Sequence, residues 1–189
     1  RPNATQVTCT VAQTNEGESP EQPPVYLDGA VAVAGPMPFA FSPHPADSHP
    51  DISVRVYNST AISINDSTLT PLTFDSERFD TDAIHSTATN SSRLTATTAG
   101  KYMIFGHVQF AANSSAGFRE LRMSVNGANG GIASTMANAT STTVHLSVST
   151  VWNLAPGEYV ELLVYQTGGT LNVNRAEGYS PEFGMVKVD

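Results

Sequence analysis

Residues 99–110 (A-G-K-Y-M-I-F-G-H-V-Q-F) constrain the fold more than any other segment, because apolar side chains alternate after a glycine. One face of this segment carries Tyr102, Ile104, Val108 and Phe110. The other face, which is itself partly apolar, carries Met103, Phe105, His107 and Gln109. Alternation at a period of two residues is typical of a β-strand. We therefore predict a strand that contacts a sandwich core on one face and a neighbouring subunit on the other.

Short apolar segments with turn signals between them follow one another from residue 51 to residue 189. They predict strands at 52–57, 61–64, 69–74, 93–97, 120–125, 144–148, 159–165 and 183–188. Asn126-Gly127 is a strong hairpin signal, and Pro156-Gly157 predicts a further turn. No segment shows the period of an amphipathic helix. Eight to ten short strands with turn-rich connections predict an all-β sandwich or jelly roll.

Proline divides the chain into two parts, since nine of the twelve prolines lie in residues 1–50. Proline cannot donate a hydrogen bond to a neighbouring strand, which excludes a long central strand from this region. We predict a proline-rich extended arm at residues 1–50 and a jelly-roll domain at residues 51–189. The apolar pieces of the arm would anchor it to a neighbouring molecule through Tyr26, Leu27, Phe39 and Phe41.

Charge and composition exclude several classes of partner. The net charge is -8 at pH 7, and the nine basic residues are scattered. Nucleic-acid binding requires clustered Lys and Arg, so we predict none. No run of about 18 apolar residues occurs, so we predict no membrane-spanning helix. Cys9 is the only cysteine, which excludes a disulfide within the chain.

An acidic segment holds four carboxylates within eight residues: Asp75, Glu77, Asp80 and Asp82. Calcium takes about six to eight oxygen ligands, often from one carboxylate-rich loop, so these four residues form a candidate calcium site. The alternative is a solvated turn in which the Asp side chains accept hydrogen bonds from backbone amides. No other cofactor is predicted.

The sequence lacks the motifs of common enzyme classes. The five histidines include no H-E-x-x-H spacing, and no G-x-S-x-G motif or glycine-rich phosphate loop occurs. His107 and His145 lie opposite the predicted core stripes, which favours surface or interface positions over metal ligation. We therefore predict that the protein is not an enzyme.

Four segments in order resemble the complement globular-head and tumour-necrosis-factor superfamily over roughly residues 52–189. The turn glycine with alternating apolar residues is Gly100, Tyr102 and Ile104. Residues 154–162 (L-A-P-G-E-Y-V-E-L) are similar to the family's L-x-x-G-D/E-x-V-x-L turn and strand. Residues 183–186 (F-G-M-V) resemble its closing strand, and residues 74–80 with Leu94-Thr95 lie where the family has an F-D…Y-D…F-T segment.

This resemblance implies a ten-stranded jelly roll that assembles as a tight homotrimer. Positions that match the family's three-fold contacts are Tyr102, with Ile104 on the same strand, and Phe183. Tyr165 is also predicted to lie in the trimer interface, because the alternation of its strand places its side chain on the outward face. The departure from the family is the first 50 residues, because they contain neither a collagen repeat nor a heptad stalk.

Two functional hypotheses follow from these features. The first is a virion structural protein, a trimeric jelly roll that decorates or cements a phage capsid or caps a fibre and attaches to a capsid or other virion protein through residues 1–50. The alternative is a secreted or fibre-borne recognition module, extracellular rather than at the virion surface, that binds a receptor or glycan. Its binding loops would lie near residues 113–115 and 138–142.

Overall fold

The computed structural model describes residues 25–27, 30–32, 51–114, 117–128, 131–139 and 141–189. The chain divides into two units, Arg1–His49 and Pro50–Asp189. In the described part of the first unit, β1 (Val25–Leu27) pairs antiparallel with β2 (Ala30–Ala32). Two of the predicted arm anchors, Tyr26 and Leu27, lie on β1. The other two, Phe39 and Phe41, lie outside the described residues.

The described part of the second unit contains twelve strands and no helix. They are β3 (Ser53–Tyr57), β4 (Ile62–Ile64), β5 (Thr70–Pro71), β6 (Ser76–Asp80), β7 (Arg93–Thr95), β8 (Gly100–Phe110), β9 (Gly117–Val125), β10 (Ala133–Ala139), β11 (Val144–Leu154), β12 (Tyr159–Gln166), β13 (Leu171–Val173) and β14 (Glu182–Lys187). The count exceeds the ten expected strands because it includes very short segments such as β5. Among the described residues, none lies in a helix that could cross a membrane.

The strands form two antiparallel sheets. One sheet has the order β10-β9-β12-β5, and β7 pairs with another stretch of β12. The second sheet has the order β4-β13-β8-β14-β3-β6. In this second sheet β11 pairs with β8 along its full length, on the edge of β8 opposite β14. The two sheets are referred to below as the five-stranded and the seven-stranded sheet.

The core lies between the two sheets and confirms the predicted alternation of β8. The side chains of Tyr102, Ile104, Val108 and Phe110 are all buried in it. The Tyr102 hydroxyl donates a hydrogen bond to the Thr98 carbonyl oxygen at 2.7 Å. From the neighbouring strand β14, the Phe183 ring stacks on Phe74 with 5.7 Å between centroids. Because a strand of period two exposes its alternate residues to the other face, this packing also fixes Met103 and Phe105 as outward residues.

Several predicted elements differ from the structure. The acidic segment is not a turn throughout, because Ser76–Asp80 forms β6 and pairs with β3. Sequence patterns also missed β10, which contains three alanines and an asparagine, residues of low strand propensity, but pairs with β9 over seven residues. The Asn126-Gly127 turn forms, with positive φ at both residues. Pairing between the two strands resumes only at Ala133 and Met123, so the loop between β9 and β10 is longer than the two residues of a tight hairpin turn.

Candidate functional site

The outer face of the seven-stranded sheet carries an apolar row across three strands. Register aligns Val151 on β11 with Met103 on β8 and Val186 on β14. Val151 is 56% exposed and Met103 is 44% exposed, whereas Val186 is half-buried. A continuous apolar row of this kind on a strand face is a feature of protein contact surfaces. We call this row, together with Phe105, the apolar face.

Phe105 extends the apolar face by lying across β14. A Cβ atom at Gly184 would come within 2.5 Å of the Phe105 Cζ atom and 2.7 Å of the Val54 carbonyl oxygen. Only a residue without a side chain leaves room for the ring at this position. The Phe105 ring therefore lies against β14, between Met103 and the polar residues around Glu182 on the same sheet face.

The polar part of the same sheet face is built around a buried carboxylate. Glu182 is 1% exposed, and its Oε1 accepts hydrogen bonds from Nε and Nη2 of Arg78 at 2.9 and 2.6 Å. Its Oε2 forms an ion pair with Arg55, whose Nη2 also donates to the Gly178 carbonyl oxygen at 3.1 Å. Arg78 in turn lies over the Tyr57 ring at 4.7 Å from its centroid. The carboxylate thus holds two arginines in fixed positions beside the apolar face.

The predicted trimer-interface residues need correction. Tyr102, Ile104 and Phe183 have no exposed surface in a single subunit, so their side chains cannot contact a second copy. The assignment is out of phase by one residue, since the outward positions are Met103, Phe105 and Gly184. Tyr165 is half-buried, but it lies on the five-stranded sheet and stacks on Phe118 with 5.3 Å between centroids.

The structure also corrects the candidate calcium site, because it does not bring the four carboxylates together. Asp75 and Asp80 are separated by the extended strand β6, which spans about 16 Å. No group of three or more His, Cys, Asp or Glu residues that could hold a metal ion occurs in the described part of the chain. Each carboxylate instead has a local partner: Asp75 accepts from Ser59, Glu77 contacts the buried His85 and Asp82 accepts from Thr97.

Asp80 has the arrangement given above as the alternative to a calcium site, in which an Asp side chain accepts hydrogen bonds from backbone amides. Its two carboxylate oxygens accept hydrogen bonds from the backbone N–H groups of Asp82, Ile84 and His85 at 2.8 to 3.1 Å. The side chain thus caps the backbone of the turn that follows β6, as short acidic side chains commonly do.

Four loops leave the sandwich at the same end. Register places Ala139 beside Gly117, Val144 beside Phe110, and Leu171 beside Ile64. Each of these residues begins or ends a strand. The loops that connect the strands at this end are residues 65–69, 111–116, 140–143 and 167–170. We call them the loop end. Both predicted binding segments belong there, although Ser115 and Thr140 lie outside the described residues.

Hydrogen bonds fix three of these loops to one another. The Asn113 Nδ2 donates to the Gly168 carbonyl oxygen at 2.8 Å. The backbone N–H groups of Gly168 and Gly169 donate to Asp66 Oδ1 at 2.8 and 3.0 Å. The hydrogen bonds from Gly169 and Gly168 hold the pKa of Asp66 below its ordinary value, because they favour the ionised carboxylate. The protein's own contacts thus join the described residues of three of the four loops.

The two histidines that were predicted on the outer face also lie there. His107 contacts Ser147 Oγ through Nδ1 at 3.0 Å, and the His145 ring stacks on Tyr179 at 5.7 Å. Burial lowers the pKa of His107, and the positive charge of Arg55 lowers it further. Because of His107 and His145, the outer sheet face is polar in the half that is nearest the loop end.

Comparisons with known proteins identify the fold. No protein-family model matches the chain, and no curated protein sequence matches it significantly. The structure of Eiger TNF from S. frugiperda is 14% identical with a TM-score of 0.52, covering 75% of this chain and 94% of that chain. Murine APRIL at pH 5.0 is 11% identical with a TM-score of 0.55, covering 73% and 99%. Murine APRIL at pH 8.5 is 12% identical with a TM-score of 0.53, covering 72% and 98%. The chain therefore has a TNF-like jelly-roll fold.

Proposed function

We propose that this chain is a non-enzymatic, extracellular recognition module that works as a homotrimer and binds a receptor or glycan through its loop end. The TNF-like jelly-roll fold supports this proposal, since the family resemblance of the sequence implies a trimeric assembly. No cofactor is required, because recognition by such a surface needs only shape and hydrogen bonding.

The observation that carries the proposal is the apolar face. Val151 and Met103 lie side by side near one end of a sheet, and about half of each side chain is exposed in one subunit. Water contact with this much clustered apolar surface is unfavourable, at roughly 25 cal/mol for each Å². Covering it with a second copy removes that cost. Arg55 and Arg78, held by Glu182, supply charged groups at the border of the contact.

The oligomeric state tests the assembly. Light scattering coupled to size-exclusion chromatography should give the mass of three copies of the 20.0 kDa chain. Met103→Arg places a charge in the apolar face and should give single subunits. Met136→Arg is the matched control, because Met136 is 63% exposed on a strand of the other sheet. Trimers in both variants, or a monomeric starting protein, would contradict the proposal.

The loop end is proposed as the binding surface because Asp66 and Asn113 hold the described residues of three of its loops to one another. A rigid loop set loses little conformational entropy when it binds. A glycan array and binding to whole cells would identify a ligand. Ser114→Trp should then abolish binding, whereas Ala155→Trp, in an exposed loop at the opposite end, should leave it unchanged. The reverse pattern would place the ligand at the other end of the sandwich.

The virion role ranks below this proposal. It depends on residues 1–50 as an attachment arm to a virion protein, and the TNF-like jelly-roll fold gives that role no support.

A further inference from the structure

A buried polar pair lies inside the sandwich, close to the loop end. Arg119 on β9 and Gln166 on β12 face each other directly in the register of the five-stranded sheet. Both side chains point to the core, in phase with Leu121 and Val164, and both residues have no exposed surface. An arginine in this position is unusual, since a buried charge is costly unless it is fully hydrogen-bonded.

Among the described residues, hydrogen-bond acceptors are present for only part of the Arg119 guanidinium. Nη1 donates to the carbonyl oxygens of Phe118 and Thr167. Nε and Nη2 are buried and have no hydrogen-bond partner among the described residues. These two nitrogens form one edge of the planar guanidinium, so they offer parallel N–H donors to a single acceptor.

The orientation of the Gln166 amide is fixed by its other contacts. Its Nε2 donates to the carbonyl oxygens of Gly169 at 2.5 Å and Ile64 at 3.3 Å. Both partners are acceptors, which excludes an exchange of the amide oxygen and nitrogen. Gln166 Oε1 is therefore a defined acceptor, and it too is buried without a partner among the described residues.

We propose that one buried water molecule binds between Arg119 and Gln166. It accepts hydrogen bonds from Nε and Nη2 of Arg119 and donates one to Oε1 of Gln166. Two donors and one acceptor match the hydrogen-bonding capacity of water, and buried waters make about three such bonds. An anion such as chloride fits less well, because it would face the lone pairs of Oε1.

The water would join β9 to β12 where the loop end begins. Arg119 also holds the Thr167 carbonyl oxygen, and Gln166 holds that of Gly169, so the site anchors both sides of loop 167–170. The inference is independent of the proposed ligand, since it concerns the interior of a single subunit.

A crystal structure of the full chain at a resolution that shows ordered water tests the site directly. The expected result is one peak within hydrogen-bonding distance of Arg119 Nε, Arg119 Nη2 and Gln166 Oε1. A direct contact between the two side chains without such a peak would overturn the proposal. A second crystal soaked in bromide separates water from an anion, because an anomalous peak between Arg119 and Gln166 would show a halide.

Stability measurements provide a second test in solution. Arg119→Met and Gln166→Met should each lower the urea midpoint, and the double variant should lose less than the sum of the two, because the water couples them. Gln109→Met is the control, since Gln109 is a half-exposed glutamine on the other sheet. Strictly additive losses would refute the bridge. If a variant does not fold, the two crystallographic results still decide the question.

Discussion

Replacing Glu182 by glutamine tests how much one buried carboxylate stabilises the seven-stranded sheet. Glu182→Gln keeps the size of the side chain but removes the charge that binds Arg55 and Arg78. Hydrogen bonds to charged groups contribute about 1.5–3 kcal/mol each, so two such pairs give roughly 3–6 kcal/mol before correction. Each arginine side chain is 34% exposed, so water can replace part of the lost interaction. We expect a net loss of about 2–3 kcal/mol in the free energy of unfolding.

The chain contains a matched control for this substitution. Glu177 also pairs with an arginine, Arg175, at 3.7 Å, but its side chain is 81% exposed. Exposed ion pairs contribute about 0–1 kcal/mol, so Glu177→Gln should leave the free energy of unfolding nearly unchanged. The two substitutions remove the same charge, and the two sites differ in burial and in the number of arginine partners.

Urea denaturation at one fixed protein concentration measures both variants, because assembly makes stability depend on concentration. For a domain of about 140 residues, a loss of 2–3 kcal/mol corresponds to a fall of roughly 6–12 °C in Tm. Equal midpoints for Glu182→Gln and Glu177→Gln would refute the reasoning, since burial would then add nothing to the ion pair.

Three further outcomes are expected. Tyr102→Ala should cost about 3–5 kcal/mol of subunit stability at any protein concentration; a loss that disappears at high concentration would restore Tyr102 to the interface. Asp66→Asn should speed amide hydrogen exchange at Gly168 and Gly169, and unchanged rates would show that the carboxylate does not hold this loop. His107 has a pKa below its ordinary 6.5, so the folded state binds fewer protons than the unfolded chain and loses stability as pH falls below that value. His107→Gln should flatten this part of the unfolding free energy measured against pH, whereas an unchanged slope would assign the effect to another group.

Strand β10 shows why part of the fold could not be predicted. Its sequence, A-S-T-M-A-N-A, has Thr135 as its single β-branched residue and lacks the strict alternation that marks a strand. Pairing with β9 supplies its backbone hydrogen bonds, and that pairing depends on the whole sandwich. The acidic segment was misassigned for the same reason, since β3 makes Ser76–Asp80 a strand and separates Asp75 from Asp80.

The sequence alone determined that Tyr102, Ile104, Val108 and Phe110 share one face of a strand, whereas the tertiary structure decided that this face lies in the core. Alternation at period two is a local property of an extended backbone and does not depend on which strand lies beside it. Only the tertiary structure decided which residues of neighbouring strands share the opposite face and which polar groups are buried. Glu182 meets Arg55 and Arg78, and Arg119 meets Gln166, through register between segments that are far apart in the chain. Register depends on the packing of both sheets together, and a one-residue shift would move every side chain to the other face.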